Sequence, residues 1–176
     1  MILVISTCAD ELSEEEFVKP IVKIVGDAEV KHYTGEIDFQ KYSKIIICGT
    51  ALRDNGYLNN IDNFLSLKNI DVPVLGICSG MQILCLIFGE KLVKNKEIGM
   101  TKIKTIKKNP LFLGEFGAYN LHGNGLESLD KFEVLAESGT SIQAIKHKQK
   151  EFYGIMFHPE VRNEKIIKNF LNFTGV

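Results

Sequence analysis

The sequence predicts an α/β fold: an open, mostly parallel, doubly wound (flavodoxin-like) sheet with antiparallel strands added in the second half. Three observations predict it. Ile2–Ser6, Lys44–Cys48 and Val72–Ile77 are short, largely apolar and β-branched runs, as expected of strands covered on both faces. Helical patterns separate them, so the first half reads β-α-β-α-β-α-β-α. After residue 90 the chain changes to short strands divided by turn signals such as Asn109-Pro110 and Gly123-Asn124-Gly125, which suits an antiparallel meander.

Taken in order, Ile2–Ser6 is the first strand. Ser13-Glu14-Glu15-Glu16 has the form of a capping box, with Ser13 as the cap and Glu16 reaching back. The helix it opens carries Phe17, Val18, Ile21, Val22 and Val25 and stops at Gly26, and Pro20 inside it predicts a kink or a late start. Ala28–Tyr33 is the second strand, Asp38–Tyr42 a short helical turn and Lys44–Cys48 the third strand. Gly49-Thr50-Ala51-Leu52-Arg53-Asp54-Asn55-Gly56 is a loop. Tyr57–Leu67 follows as a helix with Leu58, Ile61, Phe64 and Leu65 on one face. Beyond the fourth strand and its helix come strands at Lys91–Val93, Met100–Lys107, Ala118–His122, Lys131–Ala136, Ile142–Lys146 and Phe152–Phe157. A helix from about Glu164 to Phe173 closes the chain.

A length of 176 residues suits a single domain, 1–176, with room for a sizeable core. The net charge of −1 offers no electrostatic footprint for nucleic acid or an anionic membrane, and the apolar stretches are too short to span a bilayer. Met1-Ile2-Leu3-Val4-Ile5 lacks a charged n-region and reads as strand, not signal peptide. Cys8, Cys48, Cys78 and Cys85 have neither C-x-x-C spacing nor a histidine at zinc-ligand spacing, so a reduced, cytoplasmic protein without a metal site is expected.

The chemistry gathers at Gly76-Ile77-Cys78-Ser79-Gly80, between a strand and an apolar helix. This is the spacing of a nucleophile elbow with Cys in place of Ser. A strand that turns at once into a helix crowds its own backbone, so small residues must flank the turn. The turn residue is left strained and exposed above the sheet at a helix N-terminus, where the dipole favours a thiolate.

A catalytic thiol needs a base. Phe157-His158-Pro159-Glu160 stands at the end of the last strand, and a carboxylate two residues from an imidazole holds its tautomer and stabilises its charged form. In a parallel sheet both motifs fall at strand carboxyl ends, where sites of such folds lie. Cys78, His158 and Glu160 are therefore the candidate triad. The backbone N–H of Ser79 is one candidate oxyanion donor, and the loop at Gly49 or Thr50 should supply another. Of the other histidines, His147 among Lys146, Lys148 and Lys150 reads as a solvated turn, His32 lies in a strand, and His122 before Gly123-Asn124-Gly125 is intermediate.

Together, Gly76-Ile77-Cys78-Ser79-Gly80-Met81-Gln82 and Phe157-His158-Pro159-Glu160-Val161 resemble the class I (triad) glutamine amidotransferases over essentially the whole chain. Within that family the chain looks most like the separate glutaminase subunit of archaeal-type GMP synthases. That likeness rests on Val72–Cys78, Glu97-x-Gly99, Asn109-Pro110-Leu111-Phe112, Phe132–Ala136 and Ala144–Lys148 leading to Tyr153-Gly154. The resemblance implies hydrolysis of glutamine through a Cys78 thioester, with His158 carrying the proton and Glu160 orienting it. It implies no cofactor, and delivery of ammonia to a synthetase, of the ATP pyrophosphatase type in a GMP synthase. Gln82 matches the glutamine-contacting position, and His122-Gly123-Asn124 the segment that holds the substrate's α-groups.

The sequence departs from the family at Gly49-Thr50-Ala51, where Gly-Gly-Pro or Gly-Pro-Gly is usual. It departs again at Ser79, where Leu, Tyr or Phe is usual, at Met156 in place of Gln, and in a shorter stretch after Glu160. A β-branched Thr50 is stiff where the oxyanion loop must rearrange. Two other readings of the same residues stand beside the amidotransferase. One is a stand-alone γ-glutamyl thiol hydrolase or peptidase, and the other a binding or regulatory module that has kept the triad.

Overall fold

The computed structural model describes residues 1–174. Its first strands are β1 (Ile2–Ser6), β2 (Ala28–His32), β3 (Lys44–Ile47) and β4 (Val74–Ile77). The second half adds β5 (Leu92–Thr105), β6 (Glu115–Leu126), β7 (Phe132–Glu137), β8 (Ile142–His147) and β9 (Phe152–Ile155). All nine form one sheet in the order β2-β1-β3-β4-β9-β8-β7-β5-β6. The β2-β1-β3-β4-β9 portion is parallel, and the remaining pairings are antiparallel.

The parallel strands read as continuous apolar runs because both faces are covered. Strand alternation sends Val4, Ile46, Leu75, Ile77, Tyr153 and Ile155 into one core. There they meet α1 (Glu11–Phe17), α2 (Lys19–Val25) and, near the chain's end, α5 (Glu164–Asn172). Leu3, Ile5, Ile45, Ile47 and Val74 face the other way, toward α3 (Ser79–Ile87) and a 3-10 segment, Gly56–Asn69. The four-residue α4 (Pro159–Arg162) joins β9 to α5.

Several expectations are corrected. Asp10, not Ser13, caps α1: its carboxylate accepts the Ser13 N–H at 2.8 Å, and the more acidic acceptor one turn earlier wins the orphan donor. Pro20 produces a full break, with Val18 as the junction between α1 and α2. The predicted helix at Tyr57–Leu67 is a 3-10 run with a non-helical kink at Asn60. It buries Tyr57, Phe64 and Leu67 and exposes Leu65, because the tighter turn changes which residues share a face. Lys91–Val93 and Met100–Lys107 are largely one strand, β5, which pairs with β6 across Gly123-Asn124-Gly125, so that triplet is strand and not turn. The last predicted strand belongs to the parallel core, because β9 pairs with β4.

Phe170 of α5 is fully buried against the sheet. Phe170→Ala is expected to lower stability by about 3–5 kcal/mol. The check is a urea unfolding midpoint that falls while the m-value holds.

Candidate active site

One residue turns β4 into α3, and missing Cβ atoms make room for it. A Cβ on Gly76 would lie 2.4 Å from the Gly80 carbonyl group, and a Cβ on Gly80 would lie 2.3 Å from the Ile47 carbonyl oxygen. Cys78 between them has φ 51°, ψ −104° and is the one non-glycine residue of positive φ among the described residues. Strain of this kind persists where the surroundings over-determine it. Here the Cys78 N–H donates to the Ile155 carbonyl at 2.8 Å, locking the elbow to β9.

The neighbouring parallel strand β9 delivers the second group. His158 follows it by three residues, and Pro159 opens α4 at once. The fixed φ of proline suits a first helical position. The His158 backbone N–H donates to the Tyr119 carbonyl at 2.8 Å. The His158 Nδ1 donates to Glu160 Oε1 at 2.7 Å, with both side chains essentially out of water. Burial opposes a charge on this imidazole, but the Glu160 carboxylate and the Cys78 sulfur outweigh it, so His158 titrates well above its ordinary value. Nε2 is buried without a hydrogen-bond partner. The Cys78 Sγ donates to the Leu121 carbonyl at 3.6 Å. Gly49 wedges between the two residues: a Cβ there would come within 2.6 Å of His158 Cε1 and 3.3 Å of Cys78 Cβ.

The candidate oxyanion donors sit where strand ends converge. Ser79 is the first residue of α3, so its N–H has no partner within the helix. Its hydroxyl turns inward, donating to the Cys48 carbonyl at 3.1 Å and meeting the Thr7 hydroxyl at 2.9 Å. Thr50 Oγ1 donates to Asp54 Oδ2 at 2.6 Å. The Asp54 carboxylate also accepts the Ala9 N–H at 2.6 Å and the Gly56 N–H at 3.2 Å. Asp54 and Thr7 are site residues that the sequence motifs do not single out. An aspartate within a Gly/Asn-rich loop is the signal for the first, and no local pattern marks the second.

Beside the thiol lies a narrow pocket of about 20 Å3, lined by Thr50–Leu52, Asp54, Asn55, Tyr57, Cys78, Ser79, Gln82 and the 121–124 segment. That volume holds little more than one water. Gln82, His122, Gly123 and Asn124 all reach this wall. The Gln82 amide is engaged at both ends, accepting from the Tyr57 hydroxyl at 2.6 Å and donating to the Asn124 carbonyl at 3.4 Å. Tyr57, expected only as a helix start, is thus part of the site. A surface groove of about 620 Å3 between α2 and α5 contains none of these residues.

The other histidines and cysteines fall elsewhere. His147 is buried, not solvated: Nδ1 accepts the Gln149 and Lys150 N–H groups at 3.1 Å, and the ring packs on Phe88. Burial pushes the thiols of Cys8, Cys48 and Cys85 up, as befits packing residues. No cluster of three His, Cys, Asp or Glu side chains suited to a metal occurs among the described residues. No helix there is long and apolar enough to cross a membrane.

Residues 14–173 match the family model described as glutamine amidotransferase class-I. A subunit of the glutamine-hydrolysing GMP synthase of Methanocaldococcus jannaschii is 35% identical over 80% of this chain and 79% of its own length. The corresponding protein of Pyrococcus abyssi is 32% identical over 72% of each. Among solved structures, a proposed GMP synthase subunit from Thermoplasma acidophilum superposes with TM-score 0.80 at 23% identity, covering 97% of this chain and 92% of that one. A glutamine amidotransferase from Thermotoga maritima gives 0.70 at 18% identity, over 90% and 76%. At these identities the superpositions establish the fold.

Gly49→Ala should displace the His158 ring and slow thiol alkylation and turnover by about 100-fold, the scale of a misplacement near 1 Å. Circular dichroism should stay native. A second expectation follows from the raised His158 value. Its stabilisation is complete below the ordinary imidazole value of 6.5 and is lost as pH rises through the folded value. Urea titrations from neutral into alkaline pH should show that decline in the wild type and a flatter one in Glu160→Gln.

Proposed function

The chain belongs to the glutamine amidotransferase class-I family and is a glutamine amidotransferase; from that premise we propose that Cys78, His158 and Glu160 are its catalytic triad and that it serves as the glutaminase subunit of a GMP synthase. The observation that carries the triad is the strained elbow thiol set against a buried imidazole whose Nδ1 is held by Glu160 at 2.7 Å. A family relative named as a GMP synthase subunit, alike over most of both chains, supports the assignment of the partner reaction.

In this reading His158 enters the reaction already carrying the proton on Nε2, and Cys78 Sγ attacks the side-chain amide carbon of glutamine. The Ser79 N–H and a donor from Gly49 or Thr50 carry the charge on the tetrahedral oxygen. That proton passes to nitrogen, ammonia leaves, and a γ-glutamyl thioester remains. Water, activated by His158, then releases glutamate and frees the Cys78 sulfur. Glu160 keeps Nδ1 protonated throughout, so Nε2 is the nitrogen that exchanges. Ammonia passes to a synthetase of the ATP pyrophosphatase type that activates XMP. The pocket is narrow, so the 50–55 and 121–124 walls must part to admit glutamine.

The test is covalent trapping followed by reconstitution. An electrophilic glutamine analogue should add one adduct to the wild-type mass and none to Cys78→Ala. That variant should lose at least about 1,000-fold in glutaminase kcat. Mixing the chain with an ATP pyrophosphatase partner, XMP, ATP and glutamine should yield GMP and raise glutamine turnover. An adduct on a residue other than Cys78 would sink the triad. An adduct on Cys78 without GMP formation would leave the triad standing and remove the GMP synthase assignment.

A further inference from the structure

Glu97 is the most heavily bonded carboxylate among the described residues, and the proposed chemistry makes no direct use of it. It accepts the Ser138 hydroxyl at 2.9 Å, Thr140 at 2.5 Å, Ser141 at 2.6 Å, the Gln143 amide at 2.6 Å and His122 Nε2 at 3.1 Å. One side chain thus joins β5, β6, β8 and the β7–β8 turn. Burial pushes its carboxyl up, but the three hydroxyls and the charge of His122 outweigh that and hold it below the usual carboxylate range. It stays an acceptor.

The backbone around it is shaped for the same contact. Pairing of β5 with β6 slips between Lys94 and Glu97, so Asn95 and Lys96 stand opposite Gly123 alone. Bulges of this kind re-aim groups beside functional sites. This one turns the Asn95 carbonyl onto His122 Nδ1 at 3.0 Å while Glu97 takes Nε2. Both ring nitrogens face acceptors, so the ring satisfies both only as a double donor. Asn95 also ties back, its amide donating to the Thr140 carbonyl at 2.9 Å. The His122 ring is held from both sides with its side chain fully buried. The next residues along the chain, Gly123 and Asn124, form the pocket wall, and the Asn124 carbonyl accepts from Gln82 at 3.4 Å.

We propose that Glu97 is a positioning residue for glutamine, acting through His122 on the His122–Asn124 wall of the pocket. This rests on the reading of Cys78 as the nucleophile of a glutaminase. The thiol and His158 take their backbone positions from β4, β9 and α4, and β6 hydrogen-bonds to them only through the Leu121 and Tyr119 carbonyls. Loss of the Glu97 contact should therefore spoil the fit of glutamine in the pocket before it spoils the thiol.

Two alkylating agents separate those effects. The diazo ketone analogue of glutamine (6-diazo-5-oxo-norleucine) carries the α-amino and α-carboxylate groups, whereas iodoacetamide has neither. In Glu97→Gln, Cys78 labelling by the diazo ketone should slow by about tenfold or more, and iodoacetamide labelling should stay within about twofold. The glutamine KM should rise by about tenfold with kcat within about threefold. His122→Gln leaves four donors on Glu97 and should give the same split, which guards against a Glu97 variant that fails to fold. Equal losses with both reagents in both folded variants, or no loss with either, would overturn the proposal. Wild-type protein that takes iodoacetamide at Cys78 but not the diazo ketone would instead overturn the glutaminase reading.

Discussion

The site depends on one close approach, the contact of α3's first turn with the ends of β3 and β4. Gly80 lies where any side chain would strike the Ile47 carbonyl, and Gly76 lies where any side chain would strike Gly80. Because the helix is pulled this tightly onto the sheet, the connecting residue has no room for an ordinary conformation, and Cys78 takes a positive φ. An L-residue gives up of order 1–3 kcal/mol to remain there. The burial of β4 and α3, both apolar almost throughout, offsets that cost. The geometry of Cys78 is thus a consequence of core packing.

What could be read from the sequence was what the backbone encodes within a few residues. The elbow occupies Gly76–Gly80 and the paired imidazole and carboxylate occupy His158–Glu160, so each motif carries its own geometry. Continuous apolar strands announced the parallel half for the same reason. Features set by partners distant in sequence stayed hidden. Ser13 has the look of a cap, but Asp10 takes its N–H. His147 has the look of a solvated residue because three lysines surround it in sequence, yet it is folded under the 149–150 turn against Phe88. Glu97 gathers donors from residues 122 to 143, a set no local pattern could assemble. The segment at Gly56–Asn69 has helical spacing at Leu58, Ile61, Phe64 and Leu65. Packing under Met81 and Leu84 selects Tyr57, Phe64 and Leu67 instead, with a tighter turn.

The unusual residues around the elbow have physical partners. Thr50, stiff at χ1, is held by Asp54, and the same carboxylate gathers the Ala9 and Gly56 N–H groups. The loop after β3 is therefore fixed by a side-chain carboxylate, where a glycine-rich loop would rely on backbone freedom. Ser79 turns its hydroxyl toward Thr7 and the Cys48 carbonyl. A buried hydroxyl costs free energy unless paired, and Thr7 and Ser79 satisfy each other and the Cys48 carbonyl.

The antiparallel half has its own part in the site, and β6 explains why. Two of its carbonyls, two residues apart and so on one edge of the strand, meet the site from above. Tyr119 takes the His158 N–H and Leu121 takes the Cys78 thiol. Strand geometry sets their spacing at about 7 Å, so β6 bridges Cys78 and His158, which β4 and β9 present. The Glu97 carboxylate and the β7–β8 turn tie β5 and β6 to β8, whose other neighbour is β9. The path from β9 through β8, Glu97 and His122 returns to Leu121, beside the thiol that β4 presents. The two halves of the sheet therefore close a ring around the pocket, and the parallel core alone would leave it without a wall.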